Sequence, residues 1–189
     1  HLTYLGTGCI FEYDDTHRKG GTGFTESDAP NFFGSSYSVV KGFTDRLFHD
    51  LFPEHLNVRI RMPITSCAST RNFVTKITSY EKICSNQNSM SVLPTLLPIL
   101  IELIKSKEKG TINLCNPGHI SHNEILEMYR DTVDSTFTWE NFTNSEQDEI
   151  LSAGRSNNFL DTSRLEAVHP VLDIREAVQQ VLNEMKQRV

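Results

Sequence analysis

A chain of 189 residues with a formal net charge of -6 and 38% hydrophobic residues has the size and make-up of one globular domain, or of one domain and a small lobe. Its 18 Lys and Arg are scattered and form no basic stripe, which argues against nucleic acid as a partner. The most apolar stretch, 92–104, contains Pro94, Pro98 and Glu102, so no run has the length and apolarity of a membrane span.

In chain order, "HLTYLGTGCIF" predicts a buried strand followed by a turn of small residues. Residues 12–33, rich in Gly, Asp and Thr, predict a long surface loop. From Ser35 or Ser36 a helix is expected to run to about Phe52, with Val39, Val40, Phe43, Leu47 and Leu51 recurring at helical spacing. "NVRIRMPI" alternates basic and apolar side chains and reads as a strand stopped by Pro63. "RNFVTKITSYEKI" is helical by periodicity. "SMSVLP" is short and extended, and Pro94 then opens a helix ending near Lys105. "GTINLCNPG" is a strand closed by an Asn-Pro-Gly turn.

Ser121-His122-Asn123-Glu124 has the form of a capping box, in which hydroxyl and carboxylate each satisfy an orphan amide at the start of a helix over 123–133. Residues 134–160, with the lone Trp139, read as irregular, and a final amphipathic helix is expected over 174–187. Strands alternating with helices argue for an α/β domain with a parallel sheet. The four cysteines (Cys9, Cys67, Cys84, Cys115) lack CxxC spacing and are too few for a disulfide framework, which suits a reducing, cytoplasmic setting. Cys115, His119 and His122 could suggest a metal by spacing, but the turn and the capping box already account for that segment.

The residues with the clearest chemical promise are Tyr37 and Lys41 in "FFGSSYSVVKGF". Four positions apart on a helix they share a face, where an ammonium group stabilises a neighbouring phenolate and a phenol can hand a proton to a carbonyl oxygen. Taken alone, the spacing equally suits two residues on a solvated face. The order strand–"GTG", helix with Tyr-x-x-x-Lys, second strand resembles the extended short-chain dehydrogenase/reductase family. That resemblance implies a Rossmann-like NAD(P)-binding fold in which Thr7 hydrogen-bonds the reacting oxygen, Tyr37 is the acid, and Lys41 also grips the nicotinamide ribose.

Longer stretches are more specific. "HLTYLGTGCIFEYD", "NVRIRMPI", "RNFVTKI", "NPGHISHNEILEMYRD" and "RSNNFLDTSRL" resemble the bifunctional nucleotide-rhamnose synthases, 3,5-epimerase/4-reductases, along nearly the whole chain. "RSNNFLDTSRL" is also similar to a segment of dTDP-4-dehydrorhamnose reductase. The resemblance implies an NADPH-dependent conversion of UDP- or dTDP-4-keto-6-deoxy-D-glucose to the nucleotide-β-L-rhamnose. It brings over Cys9 and Lys76 as the acid/base pair, Met62 and Pro63 beside the nicotinamide, and Asn72, Asn88, Ser89 and Arg155 as contacts to the sugar nucleotide. It also implies, by analogy, helix pairing into a homodimer. The alternatives are a plain 4-keto-reductase without epimerase activity, and a silent nucleotide-binding regulatory subunit of the same fold.

The chemistry fits these residue types. A ketone at carbon 4 acidifies the protons on carbons 3 and 5, and inverting either centre needs a base on one face and an acid on the other. The enolate formed in between is an oxyanion, at which Thr7 and Tyr37 would aim donors. The family's GxxGxxG turn, which cradles the cofactor pyrophosphate, is absent; "KGGTGF" lies in a polar loop. Relative to that family the chain is expected to start at the strand carrying Thr7, lacking the N-terminal part of the Rossmann domain, and by itself neither to bind dinucleotide tightly nor to turn over. On this reading 1–65 is the C-terminal half of the Rossmann domain and 66–189 is mainly a small C-terminal substrate-binding lobe, with 89–117 returning to the sheet.

Overall fold

The computed structural model describes residues 1–188. In chain order the elements are β1 (Thr3–Thr7), α1 (Ser36–Leu51), β2 (Leu56–Ile60), β3 (Pro63–Ile64), α2 (Phe73–Ile77), β4 (Lys82–Ile83), β5 (Gln87–Asn88), β6 (Ser91–Val92), α3 (Leu93–Lys105), β7 (Gly110–Asn113), β8 (Ile120–Ser121), α4 (His122–Thr132), β9 (Glu140–Asn141), α5 (Asn144–Ile150), α6 (Ser163–Glu166) and α7 (Ile174–Lys186). The principal sheet is parallel, in the order β1-β2-β7, with Thr7 opposite Ile60 and Arg59 opposite Asn113. Three separate two-stranded sheets, β3-β6, β4-β9 and β5-β8, accompany it.

Strands buried on both faces normally read as continuous apolar runs, and β2 departs from this. One face sends Leu56 and Val58 against Leu96, Leu103, Ile112 and Leu165, an apolar core beneath α3 and α6. The other face sends Asn57 and Arg59 toward α1. There Asp45 accepts from Arg59 Nε at 2.9 Å and Nη2 at 2.7 Å and from Asn57 Nδ2 at 2.8 Å. A buried ion pair of this geometry satisfies both charges, and removing one partner would strand the other at a cost of about 3–5 kcal/mol.

This polar seam explains why α1 is turned opposite to its pattern. Its helical spacing is as expected, but the buried residues are Ser38, Gly42 and Asp45, while Val40, Phe43, Leu47 and Leu51 face outward. A larger core gathers Val74, Ile77, Met90, Val92, Ile125, Leu126, Ile174, Val178 and Val181 between α2, α4 and α7.

Several other boundaries differ from the sequence reading. The strand in "NVRIRMPI" stops at Ile60, not at Pro63, because Met62 adopts φ 41° before β3 resumes. The helix in "RNFVTKITSYEKI" lasts five residues and gives way to β4. The capping box at Ser121 is formed at both ends. A second box at Thr143 and Glu146 starts α5 inside the segment expected to be irregular.

The 12–33 loop is mostly exposed as expected, but it is tied down at its middle and its end by buried Phe24 and Phe32. Backbone bonds fasten it to the 154–161 segment: Gly154 N to Gly34 O at 3.0 Å, Tyr13 N to Asn157 O at 3.1 Å, Phe24 N to Phe159 O at 2.8 Å and Asp161 N to Phe24 O at 2.8 Å. Gly23 permits this approach, since a Cβ there would lie 2.6 Å from Asp161 N.

Candidate active site

The carboxyl ends of β1 and β2 open into a cavity of about 870 Å³. Parallel α/β sheets place ligands at this end, where loops and helix N-termini converge. Thr7 is the last residue of β1, and Cys9 follows two positions on; both line the cavity. Ser35 caps α1 by accepting from Ser38 N at 3.1 Å, and this start puts Tyr37 in the first helical turn, at the cavity wall and 52% exposed. Ile60, Met62 and Pro63 contribute from the end of β2, Lys76 from the last turn of α2, and Arg155 from the loop opposite.

Thr7 Oγ accepts from the Cys9 amide at 3.1 Å, which leaves its own hydroxyl proton to donate into the cavity. Cys9 is half-buried, and its sulfur meets an arginine Nη1 of Arg61 at 3.5 Å. Thr7, Cys9, Tyr37, Lys76, Met62, Pro63 and Arg155 are thus brought to one cavity.

Four expected site residues are placed otherwise. Lys41 does not line the cavity: its ammonium donates to Tyr4 Oη at 2.8 Å and lies 4.9 Å from that ring. β1 offers Lys41 a phenol, that of Tyr4, which the sequence reading did not pair with it. Asn72 is buried as the residue before α2, and its amide is spent on Thr65 N and O, Cys67 O and Thr75 Oγ1. Asn88 is fully buried; its oxygen accepts from Arg61 Nη2 and the Asn158 amide, and its nitrogen donates to Asn86 O and Asn157 Oδ1. Ser89 is fully buried, its backbone amide donating to Asn158 O and its hydroxyl accepting from the Leu160 amide. These three side chains are committed to holding loops together, and none lines the cavity.

The wall also carries residues that the sequence reading passed over. Arg71 and Lys82 join Lys76 and Arg155, so four cationic side chains line the cavity and no Asp or Glu does among the described residues. In a chain of net charge -6 this is a local reversal of sign, one that favours an anionic ligand. The flanking letters of "RNFVTKI" held Arg71; what they could not carry was the fold that brings it to Lys82 and Arg155. His122 also lines the wall, where burial pushes its imidazole down to about 4 and so keeps it neutral. Burial likewise raises the Cys84 thiol and pushes Cys115 up to about 12.

No protein-family model matches the chain. It is 48% identical over 180 residues to an Arabidopsis thaliana protein named bifunctional dTDP-4-dehydrorhamnose 3,5-epimerase/dTDP-4-dehydrorhamnose reductase, covering 94% of this chain and 60% of that protein. Among solved structures it matches a UDP-rhamnose synthase from Acanthamoeba polyphaga mimivirus with a TM-score of 0.93 and 52% identity, over 98% of this chain and 65% of that one. A dTDP-4-dehydrorhamnose reductase from Bacillus anthracis in complex with NADP shares the fold, with a TM-score of 0.74 and 18% identity over 97% of this chain and 65% of that one. The chain therefore spans a little under two thirds of the length of these relatives.

Proposed function

The chain belongs to the nucleotide-rhamnose epimerase/reductase family, and on that premise we propose that it carries the catalytic part of an NADPH-dependent 3,5-epimerase/4-reductase acting on a UDP- or dTDP-linked 4-keto-6-deoxy-D-glucose. The observation that carries this reading is one cavity in which a threonine and a tyrosine hydroxyl, a thiol and Lys76 meet, with Arg71, Lys82 and Arg155 as three further cations. The cations suit the diphosphate, with Arg155 exposed at the rim and able to offer its planar fork. Thr7 and Tyr37 would direct their hydroxyls at the carbon-4 oxygen. With charge on that oxygen stabilised, Cys9 and Lys76 would take and return the protons on carbons 3 and 5. Tyr37 would then protonate the oxygen as reduction proceeds.

NADPH, when bound, supplies the hydride for carbon 4. The residues present fit its nicotinamide-ribose end: Met62, with a left-handed backbone at the end of β2, Pro63 and Tyr37 share the cavity. Lys41 would serve the ribose after leaving Tyr4. The sequence holds no GxxGxxG turn for the pyrophosphate. The division of labour we propose assigns 1–65 with 89–117 to the cofactor side and the remainder to the substrate lobe. A homodimer paired through α1 fits its outward stripe of Val40, Phe43, Leu47 and Leu51. Four free cysteines suit the cytoplasm.

The test is solvent exchange. In deuterium oxide without NADPH, the 4-keto substrate should gain deuterium at carbons 3 and 5, read by NMR. Cys9→Ser should abolish this while sparing reduction of an already epimerised substrate. Reduction without any exchange would leave a plain 4-keto-reductase, and neither activity with retained nucleotide binding would leave a regulatory subunit.

A further inference from the structure

Two arginines two residues apart, Arg59 and Arg61, are each 1% exposed, and their surroundings differ in one respect. Arg59 is matched by the carboxylate of Asp45. Arg61 donates to Gly8 O at 3.3 Å, Ser156 Oγ at 3.1 Å, Ser156 O at 2.6 Å, Asn88 Oδ1 and Cys9 Sγ at 3.5 Å. Every acceptor but the sulfur is a neutral oxygen, and among the described residues no ion pair includes Arg61. Its Nε has no partner at all. A buried cation without a counter-ion is costly, and the one contacting side chain able to become an anion is Cys9.

We propose that Arg61 is a positioning residue for Cys9, holding its sulfur at the cavity mouth and supplying the positive charge that the thiolate needs when it acts as base. This rests on the proposed role of Cys9. In that step the thiolate forms its S–H bond as the substrate C–H bond breaks, and the electron pair moves to the carbon-4 oxygen. The anion thus passes from sulfur to an oxygen that Thr7 and Tyr37 receive, while Arg61 stays in place.

The clamp is rigid from both sides. Ser156 Oγ donates on to Phe11 O at 2.6 Å, and Asn158 Nδ2 donates to Gly8 O and Phe11 O at 2.9 Å each. The field of Arg61 is also felt at His122, where it adds to burial in keeping the imidazole uncharged. Other titratable groups around the pair are Cys115 behind the sulfur, with Glu26 acting on that thiol, Tyr13 within the field of Arg61, and Tyr37, Lys76, His122 and Arg155 around the cavity; no carboxylate touches Arg61.

The experiment measures iodoacetamide labelling of Cys9 in the intact protein, followed on its peptide by mass spectrometry. In Arg61→Met the labelling rate should fall about tenfold, with Arg61→Lys recovering most of it. Asn88→Asp keeps the shape and gives Arg61 a carboxylate, so it should slow labelling similarly even if Arg61→Met fails to fold. In the same variants deuterium exchange at carbons 3 and 5 should drop while reduction of epimerised substrate persists. Unchanged labelling in folded Asn88→Asp, or exchange and reduction falling together, would overturn the proposal. Exchange that survives in Cys9→Ser would instead remove the role of Cys9, with the labelling result still deciding whether Arg61 governs that thiol.

Discussion

His122 shows how a single side chain couples the cavity to stability. Its Nδ1 lies against the Asn86 backbone, and its ring begins α4, where a positive charge opposes the helix dipole. Burial depresses its pKa from 6.5 to about 4. The unfolded chain therefore binds a proton that the folded chain refuses between those values. Stability is fully present above pH 6.5 and declines as pH falls toward 4, by at most about 3 kcal/mol. Urea midpoints taken on both sides of this window should differ by less in His122→Gln than in the native protein, the remaining difference coming from carboxylates such as Glu124 and Glu146 whose pKa values are lowered in the fold.

At the same scale, the roles expected of Thr7, Tyr37 and Cys9 came from resemblance to a family, while their shared position at one cavity follows from a strand end, a capped first turn and a two-residue offset. The partner of Lys41 was not readable, since Tyr4 is 37 residues away in sequence and meets it only through the α1–β1 packing. The internal bonding of Asn72, Asn88 and Ser89 was hidden for the complementary reason. Asn and Ser serve equally well as ligand contacts and as internal braces, and only burial distinguishes the two uses.

Among the elements, the two capping boxes offer a controlled comparison. Ser121 caps a helix that buries Ile125 and Leu126, whereas Thr143 caps α5, which buries nothing. Ser121→Ala should cost about 1 kcal/mol of global stability, visible as a lower Tm, because unfolding α4 unfolds the core beneath it. Thr143→Ala should leave the Tm unchanged and register only as faster amide exchange in α5. Both boxes have the same S/T-x-x-E letters, so α5 was legible in principle; the polar composition around it hid the signal. The outward face of α1 was not legible. Periodicity reports that a helix has an apolar stripe, and it was the Asp45–Arg59 pair that turned that stripe away from the sheet.

For the whole molecule, charge is unevenly placed: an acidic chain encloses a cavity walled by Arg71, Lys76, Lys82 and Arg155. Attraction of this kind is screened within a Debye length of about 10 Å at 0.1 M salt. Raising the ionic strength from about 0.05 M to about 0.5 M should weaken UDP binding roughly tenfold by calorimetry, and Arg155→Ala should flatten that dependence. The α/β order was read correctly from alternating patterns. The sign reversal was not, because it brings Arg71, Lys76 and Lys82 together with Arg155, more than seventy residues further along the chain.

The fastening of 154–161 onto the loop before α1 has a mechanical corollary. Gly154 is bonded to Gly34 one residue ahead of the Ser35 cap, so the arginine at 155 and the phenol at 37 are carried on a common frame. They travel as a unit. Passage of a bulky nucleotide in and out must then be granted by the facing side, the 71–83 stretch together with α5, which buries no residue and is tied just past that stretch by its first residue, where Asn144 Oδ1 accepts from Cys84 Sγ and Asn86 Nδ2.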